Sequence, residues 1–311
     1  MNVLAEFRAH AGPILCIAFD NEGEYLISGG QDKLIALSQV SLAKKITTFT
    51  GHTADIFSVV SSSDHKCIFS SGVEKYVFIW DVSNRRILRR LSGHGGPINA
   101  LSLFPHSDEI LVSGSFDATA RIWDLRSSQR VPLQILDEAK DSITSISTGH
   151  SSIITGSADG YVRKYDIRKG LLDQYKTFDF RDKPISVSCV TFCEESDTAI
   201  VSSLDNCVRI LDLASGGLLA SCYGHSNKSL KSSHILLEPE GKCIVSGSED
   251  NYIYGWNIEE LKGPSSNDDG DNFSFKSDHF GYPTLQLAKD PRRPIFAGGS
   301  LDGIIRIIKC N

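Results

Sequence analysis

An acidic residue recurs seven times along the chain, at Asp32, Glu74, Asp117, Asp159, Asp205, Asp250 and Asp302. Each is followed six residues later by Ser38, Trp80, Trp123, Tyr165, Leu211, Trp256 and Ile308, in that order. Successive acids are 42, 43, 42, 46, 45 and 52 residues apart while the inner spacing of six never changes, so insertions fall between the cores of the units. A period of this size marks a repeat architecture, in which one supersecondary unit is copied and stacked. It overrides the two-domain expectation that a chain of 311 residues would otherwise carry.

The third unit shows the content of the repeat. It runs through Ser92-Gly93-His94, then Ile98 to Phe104, then Glu109 to Asp117, then Thr119 to Asp124, and Pro132 to Leu136 follows before the next unit. These are short β-branched and apolar runs of strand length, divided by Gly, Pro, Ser and Asp. Four strands in a period of about 40 to 45 residues make one propeller blade, so the sequence predicts an all-β, seven-bladed β-propeller. The blades are expected at about residues 10–49, 50–91, 92–136, 137–178, 179–223, 224–275 and 276–311, in one domain over 1–311. The last unit has a strand at Ile304 to Ile308 with no fourth strand after it, whereas Val3 to Arg8 lie where a fourth strand without a blade would be. Pairing the two closes the ring and removes an exposed sheet edge.

Trp80-Asp81 and Trp123-Asp124 close the third strands of their units, and Gly51-His52, Gly93-His94 and Gly224-His225 precede first strands. In these motifs the chain resembles the WD-repeat family over its whole length. The resemblance implies that each turn acid accepts hydrogen bonds from its own turn and from the histidine, which links on to a Ser or Thr of the second strand and the Trp of the third. Each such bond contributes roughly 0.5 to 1.5 kcal/mol net. The positions so assigned are His10, Asp32, His52, Glu74, Trp80, His94, Ser113, Asp117, Trp123, Asp159, Asp205, His225, Asp250, Trp256, His279 and Asp302. Glu74 in place of Asp, Leu211 and Ile308 in place of an aromatic, and Asp137 in place of a histidine mark blades expected to be softer. Gly149-His150 lies nine residues before Asp159 and reads as a turn between the first two strands of its unit.

The middle of the chain further resembles the mitogen-activated protein kinase organizer family of WD-repeat scaffolds. The residues concerned are Pro132 to Asp141, Gly156 to Arg168, Val201 to Asp205 and Val208 to Asp212. The Asp137-Glu138-Ala139 stretch departs from the general repeat, which makes it the more telling part. This resemblance implies a non-catalytic scaffold assembling multiprotein complexes, with kinase-module components, a hypoxia-factor prolyl hydroxylase or spliceosomal proteins as partners. By position relative to the histidines, it places a partner-binding rim at Asp55, Phe57, Pro97, Asn99, Ser142 and Thr144, with Phe57 foremost because a large aromatic at a rim suits a hot spot. The alternative is the substrate-recognition subunit of a ubiquitin ligase or another enzyme complex, in which a different chain does the chemistry.

A net charge of -6 argues against a general grip on nucleic-acid backbones. No apolar stretch is long enough to span a membrane, and Glu6 stands where a signal peptide needs an apolar run. A cytoplasmic or nuclear protein is expected, a monomeric ring within a larger complex, with no membrane partner. Eight scattered cysteines without a CxxC read as reduced thiols. Asn227-Lys-Ser229 and Asn272-Phe-Ser274 match the glycosylation pattern by chance on this reading. No GxGxxG, P-loop, HExxH or GxSxG pattern occurs, so neither an enzyme nor a cofactor or metal is expected. Three departures from the repeat stand out: an acidic stretch at 262–272 read as a flexible loop, an insertion at 176–181 with two aromatics, and the basic run Arg85 to Arg90 on an outer strand.

Overall fold

The computed structural model describes residues 1–105, 107–176, 184–237, 243–261 and 272–309. Among them the chain forms seven four-stranded antiparallel sheets, each built from strands consecutive in sequence except the last. We call the strands of each sheet a to d and number the blades in chain order. The a strands are Ile14–Phe19, Ile56–Ser61, Ile98–Leu103, Ile143–Thr148, Val187–Cys193, His234–Leu237 and Thr284–Lys289. Each touches the a strand of the next blade, and that of blade seven touches that of blade one, so the a strands ring a central channel. The d strands, from Lys44–Phe49 in blade one to Phe275–Lys276 in blade six, lie at the outside. This is the predicted seven-bladed β-propeller.

Strand b of each blade faces a neighbouring blade on both sides, which is why its residues are buried almost without interruption, as in Ile110–Ser115. The apolar core is accordingly divided into seven clusters, one at each junction between blades. Cys16, Ile27, Ile35 and Phe49 of blade one pack on Ile56, Ile68, Phe78 and Trp80 of blade two. Ile14 and Leu26 of blade one pack on Ile295, Ala297, Ile305 and Ile307 of blade seven. The junctions narrow toward the channel, and there strand b carries glycine in every blade but the fifth, where Ser202 and Ser203 stand. A Cβ on Gly114 would lie 2.5 Å from Ile143 Cγ2 of the next blade, and one on Gly299 would lie 2.7 Å from Ile14 Cγ2 where the ring closes.

Six of the seven a strands share a β-bulge. In blade two Ile56 pairs with Gly72 and Ser58 with Ser71, which leaves Phe57 unpaired. The same shift leaves Asn99 and Thr144 unpaired in blades three and four. A bulge re-aims the extra side chain, and these residues lie at one mouth of the channel. Blade six, whose a strand begins at His234, lacks it.

Ring closure takes the predicted form. Asn2–Arg8 is strand d of blade seven, antiparallel to Ile304–Lys309, with Val3 opposite Ile308 and Arg8 opposite Ile304. Arg8 Nη1 donates to the Asp302 carbonyl at 2.9 Å, and the Ala9 N–H donates to the Gly303 carbonyl at 2.9 Å.

Of the departures from the repeat, residues 262–271, 177–181 and Cys310 lie outside the described residues. Asn272 is held against blade five, its Nδ2 donating to the Ser221 carbonyl at 2.8 Å and its Oδ1 accepting the Tyr223 N–H at 2.7 Å. The basic run does not form one patch: Arg85 reaches Thr47 of blade one, Arg89 donates to the Leu125 and Ser127 carbonyls of blade three, and Arg90 lies over the Phe78 ring. The seven described cysteines are free thiols.

Deleting residues 1–8 uncovers an edge along Ile304–Lys309 and removes Phe7 from the closing cluster. The expected outcome is a clearly lower Tm and proteolysis beginning in blade seven. An unchanged Tm by calorimetry would show that the ring does not depend on this strand.

Candidate protein-interaction face

The turns between strands b and c and the loops from strand d to the next strand a share one end of the ring, and buried polar chains fix them there. In blade three, Asp117 Oδ2 accepts from His94 Nδ1 at 2.9 Å and the Gly95 N–H at 2.7 Å. Its Oδ1 accepts from the Thr119 N–H at 3.0 Å and the Thr119 hydroxyl at 2.6 Å. His94 Nε2 meets Ser113 Oγ at 2.8 Å, and the Trp123 indole N–H donates to the same oxygen at 2.8 Å. Ser113 accepts from Trp123, so its hydroxyl proton points to Nε2 and the neutral imidazole donates from Nδ1 to the carboxylate. Burial alone would raise the Asp117 carboxyl, but Thr119, the Gly95 N–H and His94 outweigh it and hold it at about 2. Burial lowers His94 in spite of Asp117.

Blade two has the same chain. Glu74 receives His52 Nδ1 and the Thr53 hydroxyl, His52 Nε2 meets Ser70 Oγ at 2.7 Å, and Trp80 donates to Ser70 at 2.7 Å. The longer glutamate spans the gap, which corrects the expectation that Glu74 costs this blade a link. In blade one His10 joins Asp32 at 2.9 Å and Ser28 at 2.8 Å, and the chain ends there because Ser38 replaces the tryptophan.

The remaining blades meet their acids differently. Arg163, Arg209 and Arg306 each stand four residues after the acid, on strand c, and take the place of the histidine. Arg163 Nη2 lies 2.7 Å from Asp159 Oδ2, and the Lys140 N–H donates to the same oxygen at 2.9 Å. Arg209 pairs with Asp205, and Arg306 lies 3.7 Å from Asp302 with its guanidinium over the Phe280 ring. Three repeat assignments are corrected. His279 is exposed and edge-on to Tyr252, away from Asp302. His225 is buried against Trp256, and neither of its nitrogens has a hydrogen-bond partner among the described residues. Trp256 donates to the Tyr223 carbonyl at 3.0 Å, while Asp250 takes the Tyr254 hydroxyl at 2.6 Å. A bulky strand c residue, Tyr254 or Arg306, has taken the acid in these two blades. The three arginines keep a constant spacing from the acid, but Arg121 of blade three shares it while His94 meets Asp117 there, so the spacing alone does not mark them.

Asp137 is exposed, and its neighbour Glu138 accepts the Tyr165 hydroxyl at 3.1 Å. Leu211 and Ile308 are buried in the junction clusters, so their blades lose a polar link but keep their packing. His150 lies between strands a and b of blade four and bonds Glu194 of blade five at 2.5 Å.

The rim candidates fall on this end of the ring in blades two, three and four, and the structure brings two of them together. Asn99 Nδ2 donates to Ser142 Oγ at 2.9 Å and to the Ile143 carbonyl at 2.8 Å. Thr144 Oγ1 donates to the Gly156 carbonyl at 3.0 Å, so the side chains of three of the six candidates, Asn99, Ser142 and Thr144, bind their own ring. Phe57 and Asp55 are half-buried, with the Asp55 carbonyl accepting the Val73 N–H at 3.1 Å. The Pro97 carbonyl accepts the Phe116 N–H at 2.8 Å. That bond sets Phe116, 64% exposed, directly on the rim. Tyr282, 57% exposed, and Val73 belong to the same end. Sequence reasoning missed Phe116; the available signal was a large aromatic immediately before the acid, where the other turns carry Gln31, Val73, Ala158, Leu204, Glu249 and Leu301.

The family model for the WD domain, G-beta repeat, matches residues 1–37, 43–81, 85–124, 130–166 and 216–257, which is more than half of the chain. The chain belongs to the WD-repeat family. Among WD-repeat relatives, it is 33% identical over 291 residues to the WD repeat domain-containing protein 83 homolog of Dictyostelium discoideum, covering 83% of this chain and 87% of that one. It is 38% identical over 135 residues to WD repeat domain-containing protein 83 of Rattus norvegicus, covering 43% of this chain and 41% of that one. It is 24% identical over 260 residues to human Striatin-4, covering 81% of this chain and 30% of that one.

Two outcomes follow for this WD-repeat ring. Arg163→Ala leaves the Asp159 carboxylate without its buried counter-charge and is expected to cost about 3–5 kcal/mol in denaturant unfolding, while Asp159→Asn with Arg163→Met recovers most of it. Stability also falls with acid in two windows. The folded pKa of His225 is lowered from 6.5 to about 4 by burial, and His52 and His94 are lowered in the same direction for the same first reason. The unfolded chain therefore binds more protons below pH 6.5, and stability that is complete above that pH is lost toward about 4. Asp117, held at about 2 against 3.8, extends the loss from about 4 down to about 2. Tm measured between pH 7 and 5 should decline, and His225→Leu should flatten that decline.

Proposed function

We propose that this WD-repeat protein is a non-catalytic scaffold that assembles multiprotein complexes by seating apolar segments of partner proteins on the Phe116 end of the ring. The observation that carries the reading is Phe116 itself: an aromatic 64% exposed, on a turn whose next residue, Asp117, is tied into the core through His94, Ser113 and Trp123. A rigid turn orders little on binding, so an exposed aromatic there contributes its contact area at small entropic cost. Val73, exposed at the same turn of the neighbouring blade two, and Phe57, unpaired at the bulge of that blade's strand a, lie at the same end of the ring.

The resemblance of residues 132–141, 156–168 and 201–212 to the mitogen-activated protein kinase organizer family supports kinase-module or spliceosomal proteins as the partners, met in the cytoplasm or nucleus. Affinity capture from native extract followed by mass spectrometry, with Phe116→Ala and Phe57→Ala beside the unaltered chain, tests both parts. Phe116→Ala is expected to weaken capture of the principal partner about tenfold or more at unchanged Tm. Full capture by both variants would overturn the face. Recovery of ubiquitin-ligase subunits in place of kinase or splicing proteins would turn the reading into that of a substrate-recognition subunit.

A further inference from the structure

Blade six meets the channel unlike the other blades. Its a strand lacks the bulge, and the loop before it, Ser226 to Ser233, reaches over the channel instead. One carboxylate holds that loop in shape: Glu249 Oε1 accepts the N–H groups of Lys228, Ser229 and Leu230 at 3.0, 2.8 and 2.7 Å. The Ser226 N–H donates to Ser248 Oγ at 2.9 Å, and the Lys231 carbonyl accepts from Gln286 Nε2 of blade seven at 2.8 Å. From this fixed backbone the Lys231 side chain crosses to blade three, where Nζ donates to the Asn99 carbonyl at 3.1 Å.

That ammonium lacks an anion. The neutral Asn99 carbonyl is its one hydrogen-bond partner among the described residues, and no carboxylate is among the groups that act on it. The turn acids at this end are each met by a histidine, an arginine or a tyrosine of their own blade. Lys231 is nevertheless exposed at the channel mouth. Desolvation by the channel walls lowers its pKa, and the Cys189 and Cys16 thiols act the other way. A charge stripped of part of its water and left without a counter-ion favours an incoming anion. One unit of positive charge balances a carboxylate, whereas a phosphate group carries up to two negative charges.

The ammonium also stands close to the exposed aromatic of this end. The Phe116 N–H is held by the Pro97 carbonyl and Lys231 by the Asn99 carbonyl, two residues further along the same chain and so roughly 6–7 Å away. We propose that Lys231 is the charge-reading residue of the interaction face, and that the segment it selects carries an aspartate or glutamate two to four residues from its apolar anchor. This rests on the reading of the Phe116 end as the docking face and adds the chemical class of the partner: an extended, acidic and apolar segment. An ammonium has three N–H groups, so the carboxylate is accepted beside Asn99 without breaking that bond.

The test pans a phage-displayed library of random dodecapeptides on the whole chain and measures the most enriched sequence as a synthetic peptide by calorimetry. Enriched peptides are expected to carry an acidic residue two to four positions from a large apolar one. The synthetic peptide should bind Lys231→Met, which keeps the stem without the charge, at least tenfold more weakly, and Lys231→Arg should recover most of the affinity. Replacing the peptide's acidic residue by its amide should cost the same on the unaltered chain and little on Lys231→Met, while Phe116→Ala should weaken every version. Should Lys231→Met fail to fold, the acid and amide peptides on the unaltered chain still decide. Peptides that need Phe116 but show no acidic enrichment, or that bind Lys231→Met undiminished, overturn this inference and leave the docking face standing. Peptides indifferent to both Phe116→Ala and Lys231→Met, or a library that yields no binder, overturn the face as well.

Discussion

The carboxylate at each b–c turn is the constraint on which the ring end depends. It is drawn partly out of water by the loop that folds over it, and a desolvated anion must be met by donors or the turn cannot close. The seven blades meet this one requirement with three kinds of side chain. Blades one to three use an imidazole, blades four, five and seven a guanidinium, and blade six a phenol. Because the donor comes from a different strand or loop than the acid, satisfying the charge also positions the loops.

The second constraint is where the apolar surface goes. No junction contains more than two blades, so the hydrophobic effect acts as seven separate adhesive faces around an open centre. Geometry at the narrow side of each junction sets the b-strand glycines, and geometry at the wide side sets the large residue that ends strand c. That position tolerates Trp, Tyr, Leu or Ile because it needs volume first, and only in blades two and three does its indole N–H reach the strand b serine that carries the polar chain.

Fold and site were legible to different degrees. The acids, their constant inner spacing and the orphan strand at Val3 to Arg8 determined blade count and closure, because a repeat forces each unit to bury itself on copies of itself. The histidine assignments read correctly where the imidazole was the donor and failed at His225 and His279, where strand c supplies Tyr254 or Arg306. A glycine–histidine pair records only that a loop has the right shape. The rim was less legible still: the bulge that re-aims Phe57, Asn99 and Thr144 has no residue signature of its own, and the inward hydrogen bonds of Asn99 and Thr144 depend on the neighbouring blade. Phe116 sits at a position that varies from blade to blade, so the repeat itself gives it no signature.

The strand at Asn2–Arg8 has a consequence in time. It leaves the ribosome about 300 residues ahead of its partner, Ile304–Lys309. At typical elongation rates of about 5–20 residues per second, its backbone donors and acceptors wait roughly 15 to 60 seconds for a mate. Throughout that interval blade one also presents an uncovered apolar side, the one that Ile295, Ala297 and Ile305 will occupy. A long-range closure of this kind forms slowly, and the nascent chain is open to strand addition and aggregation until it does. The register that seals the finished ring therefore makes its biogenesis the most vulnerable period of its existence, and the one in which a holding chaperone has the most to offer.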